Sequence, residues 1–212
     1  MDINIILNSP ITEVILFLIV YLVLFSLAKM INDVLTPYKM NEELTTKDNP
    51  ALATSLAGYF IGVTIVYISA LIGPEKTLLE DIIATGGYGL LGVLLLNVSR
   101  IINDKLLLYQ FCNVKEIITD RNVGTGAVQC GTYIATALII GGSIHGEGGG
   151  LISALVFFIL GQGLLILFGL IYNKLTPFDL HEEIEKDNVA AGIAFGGTLV
   201  ALGIVLMKGA AG

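Results

Sequence analysis

Charged residues are scarce in this chain of 212 residues, in which Asp, Glu, Lys and Arg together make up 14%. Soluble domains carry about a quarter charged residues, and the mean hydropathy of +0.84 is also that of a membrane protein. Tryptophan is missing, and 11 basic residues face 18 acidic ones without forming a basic tract. Nucleic-acid binding needs clustered Lys and Arg. The composition therefore excludes a nucleic-acid partner and predicts contact with a lipid bilayer.

Signatures of enzymes and of metal or cofactor sites are also missing. The sequence has no H-E-x-x-H, no G-x-S-x-G and no phosphate-binding G-x-x-x-x-G-K. The two histidines, His145 and His181, are predicted on opposite sides of the membrane, so they cannot share a metal ion within one chain. Cys112 and Cys130 fall in a loop and in a helix, which makes a disulfide unexpected. We predict a protein that is not an enzyme and holds no cofactor or metal.

Six apolar segments are long enough to cross a hydrocarbon core, which takes roughly 20 helical residues. The segments are approximately Ile11 to Ala28, Pro50 to Gly73, Leu78 to Val98, Val123 to Ile144, Gly149 to Tyr172 and Val189 to Met207. They predict an all-α integral membrane protein with six transmembrane helices. The first segment lacks a preceding basic region and a following cleavage site, so we expect it to remain as a helix.

The distribution of Lys and Arg predicts the side of each loop, because basic residues concentrate on the cytoplasmic side. Nine of them lie in or beside the loops after the first, third and fifth segments: Lys29, Lys39, Lys47, Arg100, Lys105, Lys115, Arg121, Lys174 and Lys186. The opposite side has Lys76 and Lys208. These three loops are therefore predicted to be cytoplasmic and both termini outside.

Each of the three cytoplasmic loops ends in an asparagine that precedes an apolar segment: Asn49, Asn122 and Asn188. Asparagine is among the best helix N-caps, because its side-chain oxygen accepts from backbone N–H groups of the first turn. Pro50 strengthens the first case, since proline suits the first helical position. A glycine follows each asparagine by nine residues, namely Gly58, Gly131 and Gly197, and we predict that these three lie at helix crossings. The three hairpins therefore share one pattern of residue spacing.

The first and third loops also begin alike, with Leu-Thr-Pro at 35–37 and 175–177. Proline disfavours helical geometry in the residue before it, so Pro37 and Pro177 are predicted to end a membrane helix. A short helix is expected to follow in each loop. Met40 with Leu44, and Leu180 with Ile184, have the spacing that would place such a helix apolar side down on the membrane surface.

The hairpins all run in the same direction, which predicts three parallel helix-loop-helix repeats in a single membrane domain, 1–212. The units are approximately 11–73, 78–144 and 149–207. Parallel repeats are related by an axis along the membrane normal. Such an arrangement either encloses a central path or forms a compact bundle.

The stretch KLTPFDLHEEIEKDNVAAGIAFGGTLVALGIVL, Lys174 to Leu206, resembles the signature of the domain of unknown function 350 family of small bacterial inner-membrane proteins. In that family an LTP or ITP break, a polar loop and an Asn followed by A-A-x-x-x-x-x-G recur in tandem. The middle hairpin matches through Asn122, Gly131 and Glu116. The resemblance implies genetic association with phage-shock-protein-A-like coat proteins and spermidine-synthase-like enzymes, and hence a role in envelope maintenance. It implies no catalytic residue.

Small and polar side chains inside the segments allow two interpretations. Small residues one turn apart surround Gly58 and Gly131, and they favour close helix packing within the chain over a face that joins subunits or lines a path. Gln129 and Gln162 are candidates for a polar path, although a neutral Gln more often hydrogen-bonds a neighbouring helix. Glu80 fits a capping box better than a cation site.

Two classes of function remain open. The first is an oligomeric membrane scaffold that docks a soluble partner on acidic residues of its cytoplasmic loops, which packing does not require: Glu42, Glu43, Glu182, Glu183 and Glu185. The second is a channel or carrier for small cations. The second class predicts that ion flux depends on Gln129 or Gln162.

Overall fold

The computed structural model describes residues 10–72, 77–145 and 149–211, and within these ranges all regular secondary structure is helical. The helices are α1 (Pro10–Leu35), α2 (Met40–Thr45), α3 (Pro50–Leu71), α4 (Leu78–Ile102), α5 (Asn113–Ile118), α6 (Val123–His145), α7 (Leu151–Leu175), α8 (Leu180–Glu185) and α9 (Val189–Ala211). The six long ones have the length and apolar composition of membrane spans. The predicted all-α membrane fold is confirmed.

Several membrane helices continue past the apolar runs that predicted them, and α1 and α4 do so into polar sequence. The helix α1 continues past Ala28 to Leu35, and α4 continues past Val98 to Ile102 and into a π-helical turn, Asn103–Leu107. Polar and charged residues follow both apolar runs, and one of them, Asn32, is buried against the protein. Gly73, the expected end of the second segment, lies outside the described residues.

The helix α6 forms the centre of the molecule. In its most apolar stretch 83% of the residues are buried, against 11% in α1. The helices α3 and α9 pack on two sides of α6, while α4 packs against α3 and α7 packs against α6. The second helices of the three hairpins thus form an inner row, and the first helices form an outer layer.

The short helices bury their apolar sides in the protein. Met40, Leu180 and Ile184 are each at most 1% exposed, and they belong to the two hydrophobic clusters of the core. The expectation that these helices lie apolar side down on the membrane surface is wrong. Each loop folds back over the ends of the inner helices, where side chains of the same chain cover its apolar residues.

The helices α1 and α7 end immediately before Thr-Pro, at Leu35 and Leu175. In each case the threonine hydroxyl donates back to a carbonyl of the last helical turn, from Thr36 to Asn32 at 2.9 Å and from Thr176 to Tyr172 at 3.2 Å. These bonds satisfy carbonyls that a helix end leaves without a partner. Pro37 and Pro177 therefore stand where the chain leaves the helix.

An equivalent bond positions the start of each short helix. A side-chain oxygen in the last turns of the preceding membrane helix accepts from the first N–H of the short helix: Asp33 from Met40 at 2.9 Å, Asp104 from Asn113 at 2.7 Å and Asn173 from Leu180 at 2.6 Å. The middle loop has no proline. It reaches the same arrangement through the π-helical turn after α4.

Candidate functional site at the interhelical loops

The three loop asparagines cap the inner helices. Each side-chain oxygen accepts from the backbone N–H three residues on: Asn49 from Leu52 at 3.1 Å, Asn122 from Thr125 at 2.7 Å and Asn188 from Ala191 at 3.1 Å. Such a bond satisfies an N–H group that the first helical turn leaves without a partner. The start of each inner helix is thereby fixed at the loop.

The residue before each asparagine has a left-handed backbone conformation. Asp48, Arg121 and Asp187 have φ angles of 50°, 55° and 58°. Asp adopts this conformation more readily than Arg, because its short polar side chain bonds locally. The common geometry turns the chain sharply from the short helix into the cap, and the Asp-Asn pairs at 48–49 and 187–188 are its signal in the sequence.

A glutamate holds the other end of each cap side chain. The Asn Nδ2 group donates to a carboxylate oxygen of Glu43, Glu116 or Glu183, at 3.3 Å, 2.9 Å and 2.7 Å. The backbone carbonyl of the same glutamate accepts from the asparagine N–H at 2.9 to 3.1 Å. Each loop thus contains a closed Glu-Asn pair, which sequence reasoning missed, although the acid recurs five or six residues before the asparagine.

The Glu-Asn pairs correct the predicted docking set. The side chain of Glu43 is 3% exposed, and that of Glu183 is 32% exposed. Both carboxylates are engaged by the caps, so neither is the free exposed acid that the sequence suggested. The side chains of Glu42 and Glu182 are 56% and 61% exposed, and Glu185 is exposed as well.

The caps also connect neighbouring hairpins. Nδ2 of Asn49 donates to the carbonyl of Ile117 in α5 at 2.9 Å, and Nδ2 of Asn122 donates to the carbonyl of Ile184 in α8 at 2.6 Å. A further bond runs from the N–H of Gly124 to the carboxylate of Asp187 at 3.0 Å. The three loops therefore lie side by side and form one continuous face.

Ion pairs on this face are mostly exposed. Lys47 lies 2.6 Å from Glu43 and 3.4 Å from Glu42, and Lys186 lies 2.6 Å from Glu182. Hydrogen bonding to Glu182 raises the pKa of the Lys186 amine, and bonding to Glu43 does the same for the pKa of Lys47. Exposed pairs contribute roughly 0–1 kcal/mol each, so the exposed carboxylates of Glu42 and Glu182 stay accessible to other charged groups.

Glu116 differs from the exposed acids. Its residue is buried, and burial raises the pKa of its carboxyl above the ordinary value, while the bond from Asn122 acts in the opposite direction. Burial disfavours the charged form. The bond between Glu116 and Asn122 is therefore sensitive to pH.

The structure places two of the three predicted glycines at helix crossings. A Cβ atom at Gly58 would collide with the backbone of Cys130, and one at Gly131 would collide with the backbone of Gly196. The assignment of Gly197 to such a crossing is wrong. A Cβ there would meet nothing within 4 Å, because Gly196 faces α6 and the next residue turns away from it.

The predicted polar path does not form between the two glutamines. Gln129 accepts from Ser55 at 2.7 Å, across the contact of α3 with α6. Gln162 donates to Thr136 at 2.9 Å, across the contact of α6 with α7. Each residue therefore links a different pair of helices. The capping box of Thr77 and Glu80 is present at the start of α4, as the sequence suggests.

The chain matches one family of known proteins over almost its whole length. The family profile "Domain of Unknown Function (DUF350)" matches residues 6–144 and 148–212. The chain belongs to the DUF350 family. The first match covers the first two hairpins and the second covers the third, which is consistent with a tandem repeat within this family, while the division into three units stays a prediction.

Two curated relatives of this DUF350 protein have names that describe membrane proteins. The chain is 26% identical over 174 residues to the "UPF0719 transmembrane protein" of Aquifex aeolicus, covering 79% of this chain and 61% of the relative. It is 39% identical over 54 residues to the "UPF0719 inner membrane protein YjfL" of Escherichia coli, covering 26% of this chain and 41% of the relative. The match thus spans about three fifths or less of these relatives. No solved structure matches.

Proposed function

We propose that this DUF350 protein is a non-enzymatic, oligomeric scaffold of the bacterial inner membrane, which docks a basic partner on its cytoplasmic loops. The main observation in support of this proposal is that the loop acids fall into two sets. Glu43, Glu116 and Glu183 bond the cap asparagines. Glu42, Glu182 and Glu185 face solvent on the same surface, where the caps make no use of them.

The interior supports a scaffold more than a transport path. Two pairs of buried polar side chains bond each other between helices: Ser55 with Gln129, and Asn97 with Tyr59 at 3.1 Å. Such bonds tie helices together where lipid gives no hydrophobic drive for association. The inner-membrane location is supported by the name of the Escherichia coli relative. A place in envelope maintenance accords with the family resemblance.

The docking proposal is tested by binding of an oligolysine peptide to the protein in nanodiscs. The double variant Glu182→Gln with Glu185→Gln removes two exposed loop charges, and we expect peptide binding to weaken several-fold. Binding to the wild type should weaken with added salt, because exposed charges are screened over about 8 Å at physiological ionic strength.

A matched control removes the same charge from the opposite membrane side, by Glu13→Gln with Asp81→Asn. These residues lie in the first turns of α1 and α4. We expect this control to bind the peptide like the wild type. Equal binding by both double variants would place the docking surface elsewhere.

The alternative function, conduction of small cations, is tested in liposomes made from the same protein. We expect no potassium flux above that of empty liposomes. Flux that falls in Gln129→Leu or Gln162→Leu, together with unaltered peptide binding by the loop variant, would replace the scaffold with a cation path.

A further inference from the structure

The contact between α3 and α6 is repeated, residue for residue, between α6 and α9. In both contacts, the glycine that stands nine residues after the cap asparagine of one inner helix meets a backbone in the following inner helix. The residue it meets stands eight residues after the cap asparagine of that following helix. This describes Gly58 against Cys130 and equally Gly131 against Gly196. Each inner helix therefore has a front face, which contacts the following inner helix, and a back face, which contacts the preceding one.

The correspondence extends along the whole length of the two contacts. The paired positions are Ala51 with Gly126 and Gly124 with Gly192; Gly62 with Ala137 and Ala135 with Gly203; Ser69 with Gly141 and Gly142 with Met207. In each case the first pair and the second pair lie at equal distances from their caps. The geometry that joins the first hairpin to the second thus also joins the second to the third.

The outer layer and the loops repeat in the same way. Gly92 of α4 packs on Val66 of α3, and Gly161 of α7 packs on Ile139 of α6, each of the two partners lying 17 residues after its cap. The bonds from Asn49 to the Ile117 carbonyl and from Asn122 to the Ile184 carbonyl are equivalent as well.

One half of this contact is left uncovered at each end of the row. The front face of α9 exposes small residues at Ala190, Ala194, Gly197 and Ala201, and its last position, the counterpart of Ser69 and Gly142, is the exposed Lys208. The back face of α3 exposes Ala53, Ala57 and Ile68, which correspond to Gly126, Cys130 and Gly141 of α6. Val205, the counterpart of Val66 and Ile139, is 68% exposed.

The loop side shows the same two halves. Asn188 is half-buried, whereas Asn49 and Asn122 are at most 2% exposed. The Nδ2 group of Asn188 donates to Glu183 of the same hairpin. The residue of the first hairpin that corresponds to Ile117 and Ile184 is Leu44, which follows Glu43 as they follow Glu116 and Glu183. Leu44 is also half-buried.

We propose that the front face of α9 in one copy docks on the back face of α3 in a second copy, by the contact that the chain already uses twice. Gly197 then meets the backbone at Ala57, and Asn188 donates to the Leu44 carbonyl. The outer helix α1 of the second copy covers Val205. This inference gives the oligomer of the proposed function a specific interface, and it is independent of the exposed loop acids.

The interface is head-to-tail, because it joins two different surfaces of the chain. Head-to-tail contacts give rings where the rotation closes and open chains where it does not. All copies must share one bilayer plane, so successive copies cannot advance along the membrane normal. We therefore expect a closed ring, in which the number of copies is set by the rotation from one copy to the next.

Cysteine crosslinking tests the contact in native membranes, in a background that carries Cys112→Ser and Cys130→Ala. We expect Ala57→Cys with Gly197→Cys to give covalent dimers and larger species on oxidation. The control pairs Ala57→Cys with Gly163→Cys, a position of α7 with open space around it, and should give only background. Equal crosslinking by both pairs would overturn the proposal.

The single variant Gly197→Cys tests whether α9 meets a second copy of α9 and whether a different protein covers this face. A head-to-tail ring keeps the Gly197 positions of neighbouring copies apart, so no dimer is expected. A strong dimer would indicate a two-fold contact of α9 with α9, and a crosslink to a different protein would assign the face to that partner. Either result would overturn the proposal.

Oligomer size in nanodiscs supplies the second test, read by native mass spectrometry. We expect the wild type to be oligomeric and Gly197→Leu to be monomeric but still folded, with the helical content of the wild type; its unfolding temperature should fall only by the contribution of the lost interface. The double variant Glu182→Gln with Glu185→Gln should stay oligomeric, so a failure of loop docking is distinguished from a failure of assembly. A monomeric wild type, or an oligomeric Gly197→Leu, would overturn the proposed interface.

Discussion

Asn122 combines two tasks that Asn188 performs only in part. Both cap an inner helix, but Asn122 also donates to Ile184 of the next hairpin from a site that is 1% exposed. Replacing a cap by Ala costs about 0.5–2 kcal/mol, and leaving a buried partner unsatisfied adds about 1–3 kcal/mol. The difference in unfolding free energy lost by the two Ala variants therefore measures the bond from Asn122 to the next hairpin.

We therefore expect Asn122→Ala to lower the free energy of unfolding by more than Asn188→Ala does. Unfolding in detergent micelles, with both variants as monomers, is the measurement. Micelles that hold the chain as a monomer remove any contribution of a second copy to Asn188. Equal losses for the two variants would mean that the bond to the Ile184 carbonyl contributes nothing to stability.

Glu116 predicts a pH dependence of stability. Burial raises its pKa above the ordinary value of 4.5, so the folded state favours the protonated form. The corresponding stability is fully present below about 4.5 and is lost as the pH rises through the raised pKa. We expect Glu116→Gln, which keeps an oxygen for Asn122, to reduce this loss, whereas the exposed Glu42→Gln leaves it unchanged. Parallel pH profiles for the wild type and Glu116→Gln would contradict the assignment.

At the scale of the helix, replacing glycine by alanine should have opposite effects on stability at two positions. Gly131 lies against the backbone of Gly196, whereas Gly163 of α7 has open space within 4 Å of a Cβ position. We expect Gly131→Ala to destabilise the protein by about 1–3 kcal/mol through overpacking. Gly163→Ala should stabilise it by about 0.4–1 kcal/mol, because Ala restricts the unfolded chain. Thermal unfolding compares the two, and a harmless Gly131→Ala would show that α6 and α9 separate readily.

The helices themselves could be predicted from the sequence, because apolar length and cap residues are local properties. Loop burial could not. Glu42 and Glu43 are adjacent acids in the same loop, but the short helix turns Glu43 towards Asn49 and leaves Glu42 in solvent. Burial of this kind depends on which element covers the residue, and no sequence pattern in one loop states that.

Gly197 shows the same limit at the level of packing. Its distance from Asn188 equals that of Gly58 from Asn49, so the sequence predicts an equivalent position. The position makes contact only where a following inner helix is present, and within the described residues Gly197 faces open space. Spacing predicts a surface, whereas its occupant depends on neighbouring elements.

At the scale of the whole molecule, the side of the membrane remains a prediction from charge. The loops that carry α2, α5 and α8 lie side by side and contain most of the basic residues. Because basic residues concentrate on the cytoplasmic side, a reporter active only in the periplasm should be active when fused after Gly212 and inactive when inserted near Glu182. A reporter active only in the cytoplasm is the control, and it should show the opposite pattern. If both reporters reversed, the loop face with its exposed acids would lie outside, where it cannot meet a cytoplasmic partner.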